Sequence, residues 1–137
     1  MECLTIKTWE QIQFDNEAYL DNVLIYKNGR NYCTYNKSAM RMADSFREHP
    51  FIIEYLHVNK NDCLIKITFS PNTFESIKKK YKVIALPMES DHLHRWLVYT
   101  QYPPVSDYSY HIWSRILRLE LKNAPAIKKQ CVMNSNV

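Results

Sequence analysis

The chain has 137 residues, enough for one folded domain, and its 46% hydrophobic and 23% charged residues are ordinary values for a globular protein. A single glycine excludes the glycine-rich loops that hold nucleotide phosphates, so we expect no nucleotide cofactor. Because no apolar run approaches the roughly 20 residues that span a bilayer, we expect no membrane partner.

The net charge of +4 is unevenly spread along the chain. Acidic residues predominate in 1–22, whereas basic residues cluster in 77–82 and 115–129. A basic surface attracts phosphate backbones, although a solvated helix face that only keeps a protein in solution has the same composition. The four cysteines lack the spacing of zinc ligands and no export signal precedes them, so we expect a reducing, cytoplasmic location.

The first predicted elements are a hairpin and a helix. In LIYKNGRNYCTY, β-forming residues flank Asn28 and Gly29, the preferred pair for a two-residue turn, and this turn pairs Leu24 with Cys33. The following segment, SAMRMADSFREHP, predicts a helix that Ser38 caps and the proline ends.

A second hairpin and a short helix follow. In FIIEYLHVNKNDCLIKITFS, alternate apolar residues indicate a strand with one buried face, and the loop pairs Val58 with Cys63. This register places Glu54 on the apolar face, either as a buried acid or metal ligand or at an edge near water. Ser70 then caps a short helix with a basic end, or alternatively Asn72 and Glu75 form a capping box at its start.

Two strands and the longest helix complete the predicted order. The segments KVIALP and HLHRWLVYTQY indicate the strands, and VSDYSYHIWSRILRLELKN predicts a helix over about 106–122. We expect this helix to dock on the sheet through the apolar residues Ile112, Trp113, Ile116 and Leu117.

The element order predicts an α+β fold. We expect a single, mostly antiparallel sheet built from two hairpins plus two further strands, with two or three helices packed on one face. Residues 1–125 would form this single domain, and residues 126–137 would form a flexible C-terminal tail.

A possible metal site starts from His92 and His94. Residues two apart in a strand project to the same side, so both imidazoles can reach one divalent ion. The site would need further ligands, for which the candidates are Glu54, Glu89, Asp91 and His111. Alternatively, the two histidines only form hydrogen bonds to water or backbone at the end of a strand.

The segment YKVIALPMESDHLH, an apolar strand, a Pro-Pro pair and a helix containing SRILRLE follow one another over about residues 81–120. This order resembles the middle of the single-tyrosine transposases of the HUH superfamily. The resemblance implies a ferredoxin-like sheet on which His92 and His94 bind Mg²⁺ or Mn²⁺ and polarise a scissile DNA phosphate. It therefore implies a metal-dependent nuclease of single-stranded DNA. Tyr108 and Tyr110 follow the motif too closely to match the family's nucleophilic tyrosine.

A second functional hypothesis is a non-enzymatic protein that binds nucleic acid through a basic face. Exposed tyrosines would provide platforms on which bases stack. No complete catalytic constellation is visible in the sequence, so we favour binding over catalysis and expect no cofactor outside the metal hypothesis. The candidate phosphate-binding residues are Lys78, Lys79, Lys80, Lys82, Arg115, Arg118 and Lys122.

The third hypothesis is a protein-interaction module. Trp96, Tyr108 and Tyr110 would then belong to a contact surface, because aromatic residues are enriched at protein interfaces. The chain is rich in Asn, Lys, Ile and Tyr and poor in glycine, which fits an AT-rich genome. Such a composition favours an inhibitor, accessory factor or counter-defence factor of a phage, virus or mobile element, with a host or viral protein as its partner.

Overall fold

The computed structural model of the protein describes residues 3–18, 21–57, 63–87, 94–100, 103–120, 127–129 and 131–133. The strands are β1 (Cys3–Thr5), β2 (Val23–Asn28), β3 (Asn31–Tyr35), β4 (Ile52–His57), β5 (Cys63–Phe69), β6 (Val83–Ala85), β7 (Arg95–Val98), β8 (Ile127–Lys129) and β9 (Cys131–Met133). Six of them form an antiparallel sheet in the order β6-β7-β2-β3-β5-β4, and β8 joins β4 in parallel.

The helices are α1 (Ile6–Ala18), α2 (Asn36–Ser45), α3 (Pro71–Lys80) and α4 (Asp107–Glu120). Helices α2, α3 and α4 pack on one face of the sheet, where their buried side chains join those of Ile25 and Ile67 in one core cluster. The predicted α+β fold is therefore confirmed, with three helices on one face. None of the helices in the described ranges is long and apolar enough to cross a membrane.

Helix α1 was not predicted, and it packs on the opposite face of the sheet. Its buried Ile12 joins Leu24, Tyr26, Leu56 and Leu64 in a second core cluster. The strands of the main sheet are therefore apolar on both sides, which explains the nearly continuous hydrophobic run at the start of β2.

The β2–β3 hairpin turns one residue later than predicted. The chain turns at Gly29 and Arg30, so Tyr26 rather than Leu24 pairs with Cys33. Gly29 has a φ of 62°, and a positive φ at the first central position is what a type II′ turn requires of glycine. Because the pairing shifts by an even number of residues, every side chain keeps its predicted face.

The β4–β5 hairpin shows a shift that does change a face. His57 pairs with Cys63, the place predicted for Val58. This slip of one residue puts Glu54 opposite Lys66, away from the apolar row in which the sequence had placed it. The predicted position of Glu54 on the apolar face is wrong, because opposite charges on neighbouring strands make the more favourable pair.

The predicted starts of two helices had different outcomes. Ser70 caps α3 as expected, since its hydroxyl accepts a hydrogen bond from the Thr73 N–H at 3.3 Å. Ser38 is not a cap, because α2 already begins at Asn36. The buried Ser38 hydroxyl instead accepts a hydrogen bond from the Leu24 N–H at 3.2 Å and joins α2 to β2.

Helix α4 docks through a narrower stripe than predicted. Leu117 is buried, and the half-buried Tyr110 and Trp113 pack against the same core cluster. The predicted contacts of Ile112 and Ile116 are wrong, because these side chains are 40% and 52% exposed. The helix carries two apolar stripes, and the pattern alone does not say which of them faces the sheet.

Part of the segment predicted as a tail pairs with other strands. Residues 127–129 run parallel to β4 as β8, and residues 131–133 run parallel to β1 as β9. Strand pairing of this kind places the segment beside the domain. The flexibility expected for residues 126–137 stays a prediction.

Candidate functional site

A cavity of about 530 Å³ lies where β3 and β4 end and β5 begins, between α1 and α4. This volume is in the usual range of roughly 300–1,000 Å³ for small-molecule sites. The described residues that line the cavity are Trp9, Gln13, Asn36, Tyr55, Cys63, Tyr110, His111, Ser114, Arg115 and Arg118.

One wall of the cavity is a face of α4. His111, Ser114, Arg115 and Arg118 are three or four residues apart, so their side chains lie along one side of the helix. The guanidinium carbon of Arg118 is 5.9 Å from the centre of the Tyr55 ring, a cation–π distance. The wall therefore presents cationic and hydroxyl groups.

A second part of the lining comes from α1. Trp9 and Gln13 are one helical turn apart and both line the cavity. Trp9 is half-buried against the core cluster under α1, and Gln13 is exposed. Helix α1 thus adds an aromatic surface and a carboxamide to the basic groups from α4.

Asn36 forms part of the floor, at the point where β3 passes directly into α2. Its φ is 53°, a left-handed conformation that asparagine tolerates better than most residues. Its Oδ1 accepts hydrogen bonds from the Ile65 N–H at 3.0 Å and from the Tyr110 hydroxyl at 3.1 Å. The side chain therefore continues the hydrogen bonding of β5 and fixes α4 to the sheet.

The phenols in the cavity stay neutral at physiological pH. Burial raises the pKa of Tyr55 to about 12, with a smaller contribution from its hydrogen bond to Cys63. Burial also raises the pKa of Tyr110. The Tyr55 hydroxyl donates to the Cys63 Sγ at 3.1 Å. Both phenols are accordingly hydrogen-bond donors and add no negative charge.

The cavity is electropositive as a result. No aspartate or glutamate occurs among the described residues that line it. No ion pair is found for Arg115 or Arg118 within the described part of the chain. An anionic ligand would therefore meet two guanidinium groups with no competing carboxylate in the lining.

The predicted lysines lie elsewhere, on and just after α3. Lys78 Nζ is 2.7 Å from a Glu75 carboxylate oxygen, and Lys80 Nζ is 3.6 Å from that of Glu48. The exposed Lys79 and Lys82 do not line the cavity either. The structure thus separates the predicted basic residues into two groups. Lys122 lies outside the described residues.

The predicted metal site is only partly covered by the structure. His94 is exposed and stacks on Trp96 with 6.3 Å between ring centres, while His92 lies outside the described residues. Within the described ranges, no three His, Cys, Asp or Glu side chains are grouped to hold a metal ion. His111 lines the cavity on α4 instead. The metal-dependent nuclease stays a prediction.

The residues predicted for protein contact have three different environments. Trp96 is half-buried in an aromatic cluster, with ring centres 5.4 Å from Tyr32 and 5.2 Å from Phe74. Tyr110 lines the cavity, and Tyr108 is 76% exposed on the outer side of α4. Only Tyr108 is therefore largely available on the surface.

The α4 residues of the cavity could be recognised in the sequence, whereas those of α1 and β4 could not. Arg115, Arg118 and Tyr110 were predicted site residues, whereas Trp9 and Tyr55 were not. The spacing of Trp9 and Gln13 places them on the same face of a helix, but this spacing is informative only when residues 6–18 are known to be helical.

Comparisons with known proteins provide no relative for this cavity. No family model, no curated protein and no solved structure matches the chain. The function of the protein is therefore inferred from the geometry and charge of the cavity.

Proposed function

We propose that the protein binds single-stranded nucleic acid at the cavity between α1 and α4. The observation that supports this proposal is that Arg115 and Arg118 both line the cavity, while no carboxylate occurs among the described residues of its lining. Guanidinium groups bind phosphate oxygens through two parallel hydrogen bonds, and an electropositive recess attracts a polyanion from a distance.

A single strand fits the cavity better than a duplex does. The bases of a duplex are stacked inside the helix, whereas those of a single strand can turn out and stack on aromatic side chains. Trp9 provides such a ring inside the recess. The exposed Lys79 and Lys82 add general attraction for phosphates.

Fluorescence anisotropy with labelled oligothymidine and oligouridine tests the proposal, because these strands have little structure of their own. Arg115→Glu with Arg118→Glu should weaken binding strongly and reduce the slope of log K against log salt by about 0.7 for each lost phosphate contact. The matched control is Lys79→Glu with Lys82→Glu, the same charge change outside the cavity. Equal losses in both double variants, or no binding at low salt, would overturn the proposal.

A second candidate function is protein binding, favoured by the apolar stripe on the outer side of α4. Tyr108 and Leu119 are 76% and 70% exposed, and Ile112 and Ile116 lie between them on the same helix face. Nucleic acid gives aliphatic side chains little to bind. Sedimentation at increasing concentration, compared between the parent chain and Ile116→Asp, would reveal self-association through this stripe.

A further inference from the structure

We infer that the cavity holds one nucleotide of the bound strand, with its base against Trp9 and its phosphate against Arg115 and Arg118. This inference rests on the proposed function and makes it more specific. The recess is lined by residues at strand ends and by both α1 and α4, so it suits a single inserted unit better than a strand that runs straight across it.

The volume of the cavity fits a single nucleotide. About 530 Å³ lies within the usual range of sites for small molecules. A nucleotide of a strand is a unit of this kind, with a flat ring at one end and a negatively charged phosphodiester at the other. The cavity lining supplies both kinds of group, because it includes the Trp9 ring from α1 and the Arg115 and Arg118 guanidinium groups from α4.

Of the tryptophan and tyrosine rings that line the cavity, Trp9 is the one suited to stack on a base. The Tyr55 ring already has the Arg118 guanidinium over its face. The Tyr110 hydroxyl is engaged with Asn36. Trp9 lines the cavity from α1 and the arginines line it from α4, so a base on Trp9 and a phosphate on the arginines would contact different helices.

Polar groups near Trp9 can read the edge of the base. Gln13 offers both a carbonyl oxygen and an amide N–H. The Oδ1 of Asn36 already accepts two hydrogen bonds, from Ile65 and Tyr110, so its Nδ2 is the group that can donate to a ligand. The floor therefore favours acceptor atoms on the base.

The charges around the cavity indicate on which side the phosphate of the nucleotide lies. A smaller cavity of about 220 Å³ adjoins it, since Gln13, Asn36 and Tyr110 line both. Its lining also includes Glu17 and the ion pair between Lys37 and Asp107. Because the pair is neutral, Glu17 gives that side a net negative charge, which disfavours a phosphate there. The phosphate of the bound nucleotide, and the strand that continues from it, should accordingly lie on the arginine side.

Competition against labelled oligothymidine or oligouridine tests this inference with defined probes. Adenosine and uridine 5′-monophosphates should displace the strand at concentrations about 5–150-fold below those needed for ribose 5-phosphate or inorganic phosphate, because only the nucleotides have a base that stacks. A site that recognises phosphate alone would rank the four probes nearly equally.

Variants of α1 residues test whether Trp9 is the ring on which the base stacks. Trp9→Ala should weaken oligonucleotide binding by about tenfold, and Trp9→Phe should restore most of that loss because it keeps an aromatic face. Phe14→Ala is the matched control, since Phe14 lies on the same helix, is 62% exposed and does not line the cavity. Gln13→Ala, at an exposed position, provides a second cavity variant that leaves the fold intact.

The two levels of the proposal can fail separately. If oligonucleotides bind but the nucleotides compete no better than phosphate, or Trp9→Ala, Gln13→Ala and Phe14→Ala bind alike, the single-nucleotide site is excluded and the proposed function stands. If no oligonucleotide binds at low salt, both are excluded. Thermal unfolding of each variant distinguishes a lost contact from a lost fold.

Discussion

Asp15 and Arg95 form a buried ion pair that joins α1 to β7, with the carboxylate Oδ1 2.9 Å from Nη1. Both side chains are almost completely removed from solvent. The other carboxylate oxygen accepts a hydrogen bond of 2.6 Å from the Tyr26 hydroxyl, and Arg95 also donates to the Pro87 carbonyl at 3.3 Å. Asp15 therefore connects α1 to both β2 and β7 through polar contacts, and Arg95 extends these contacts to Pro87.

We expect Asp15→Ala to lower the free energy of unfolding by about 3–5 kcal/mol, because it leaves the buried guanidinium without its carboxylate. Asp44→Ala is the control, since Asp44 pairs with Arg47 on the surface, where such pairs contribute only about 0–1 kcal/mol. Urea denaturation measures both. Similar losses in the two variants would contradict the buried pair.

The orientation of α4 predicts opposite results for two leucines that are close in sequence. Leu117→Ala should cost about 2–5 kcal/mol, because Leu117 is 7% exposed and packs in the core. Leu119→Ala should change the free energy of unfolding by less than about 0.5 kcal/mol, because Leu119 is 70% exposed. Urea denaturation of the pair is decisive, and a reversed order would mean that the other stripe faces the sheet.

The turn between β2 and β3 predicts that Gly29→Val costs at least about 1 kcal/mol, because a β-branched residue resists a φ of 62°. A Cβ at this position meets no atom within 4 Å, so the cost comes from backbone strain and not from a clash. Gly29→Asn should be better tolerated, since asparagine adopts positive φ more readily. Equal melting temperatures for the valine variant and the parent chain would refute the turn assignment.

Two buried tyrosines and the half-buried Tyr110 predict a loss of stability at high pH. Burial raises the pKa of Tyr26 well above its usual value of 10.0, the Asp15 charge adding to it, and burial also raises the pKa values of Tyr55 and Tyr110. The unfolded chain releases these protons first, near pH 10, so the stabilisation is complete below that pH and is lost as the pH rises toward about 12, the pKa of Tyr55.

Thermal unfolding between about pH 8 and 11 measures this effect. Tyr55→Phe should make the decline less steep, because phenylalanine has no proton to lose. Tyr108→Phe, at an exposed position, should leave the decline as it is in the parent chain. If both variants follow the same curve, the buried phenols are not its cause.

Local patterns were sufficient to predict the hairpins, α3 and the class of the fold, because each depends on neighbours in sequence. They were not sufficient for register, since the β4–β5 loop could close with Cys63 opposite either His57 or Val58. Helix α1 was missed because its buried face includes a carboxylate, Asp15. A charged residue in a sequence is normally assigned to an exposed position unless a partner of opposite charge can be identified. The partner of Asp15 is Arg95, which is too far away in the chain for a local pattern to reveal it.

The cavity shows the same limit. Arg115 and Arg118 were predicted as phosphate ligands because basic residues on a helix can be recognised in the sequence. Trp9 and Tyr55 belong to elements that meet α4 only in the folded chain, so no local spacing connects them to the arginines. The lysines of α3 had the stronger sequence signal and lie outside the cavity.

The place of β7 beside β2 has a consequence for how the chain folds. The β2–β3 and β4–β5 hairpins close short loops. In contrast, all the elements from β3 to β6 lie between Tyr26 and Arg95 in the chain, so these two residues can pair only when a long loop closes. Loop closure costs more entropy for distant partners, and such contacts slow folding. We therefore expect β6 and β7 to join after the two local hairpins, and the Asp15–Arg95 pair, which depends on β7, to form late in folding.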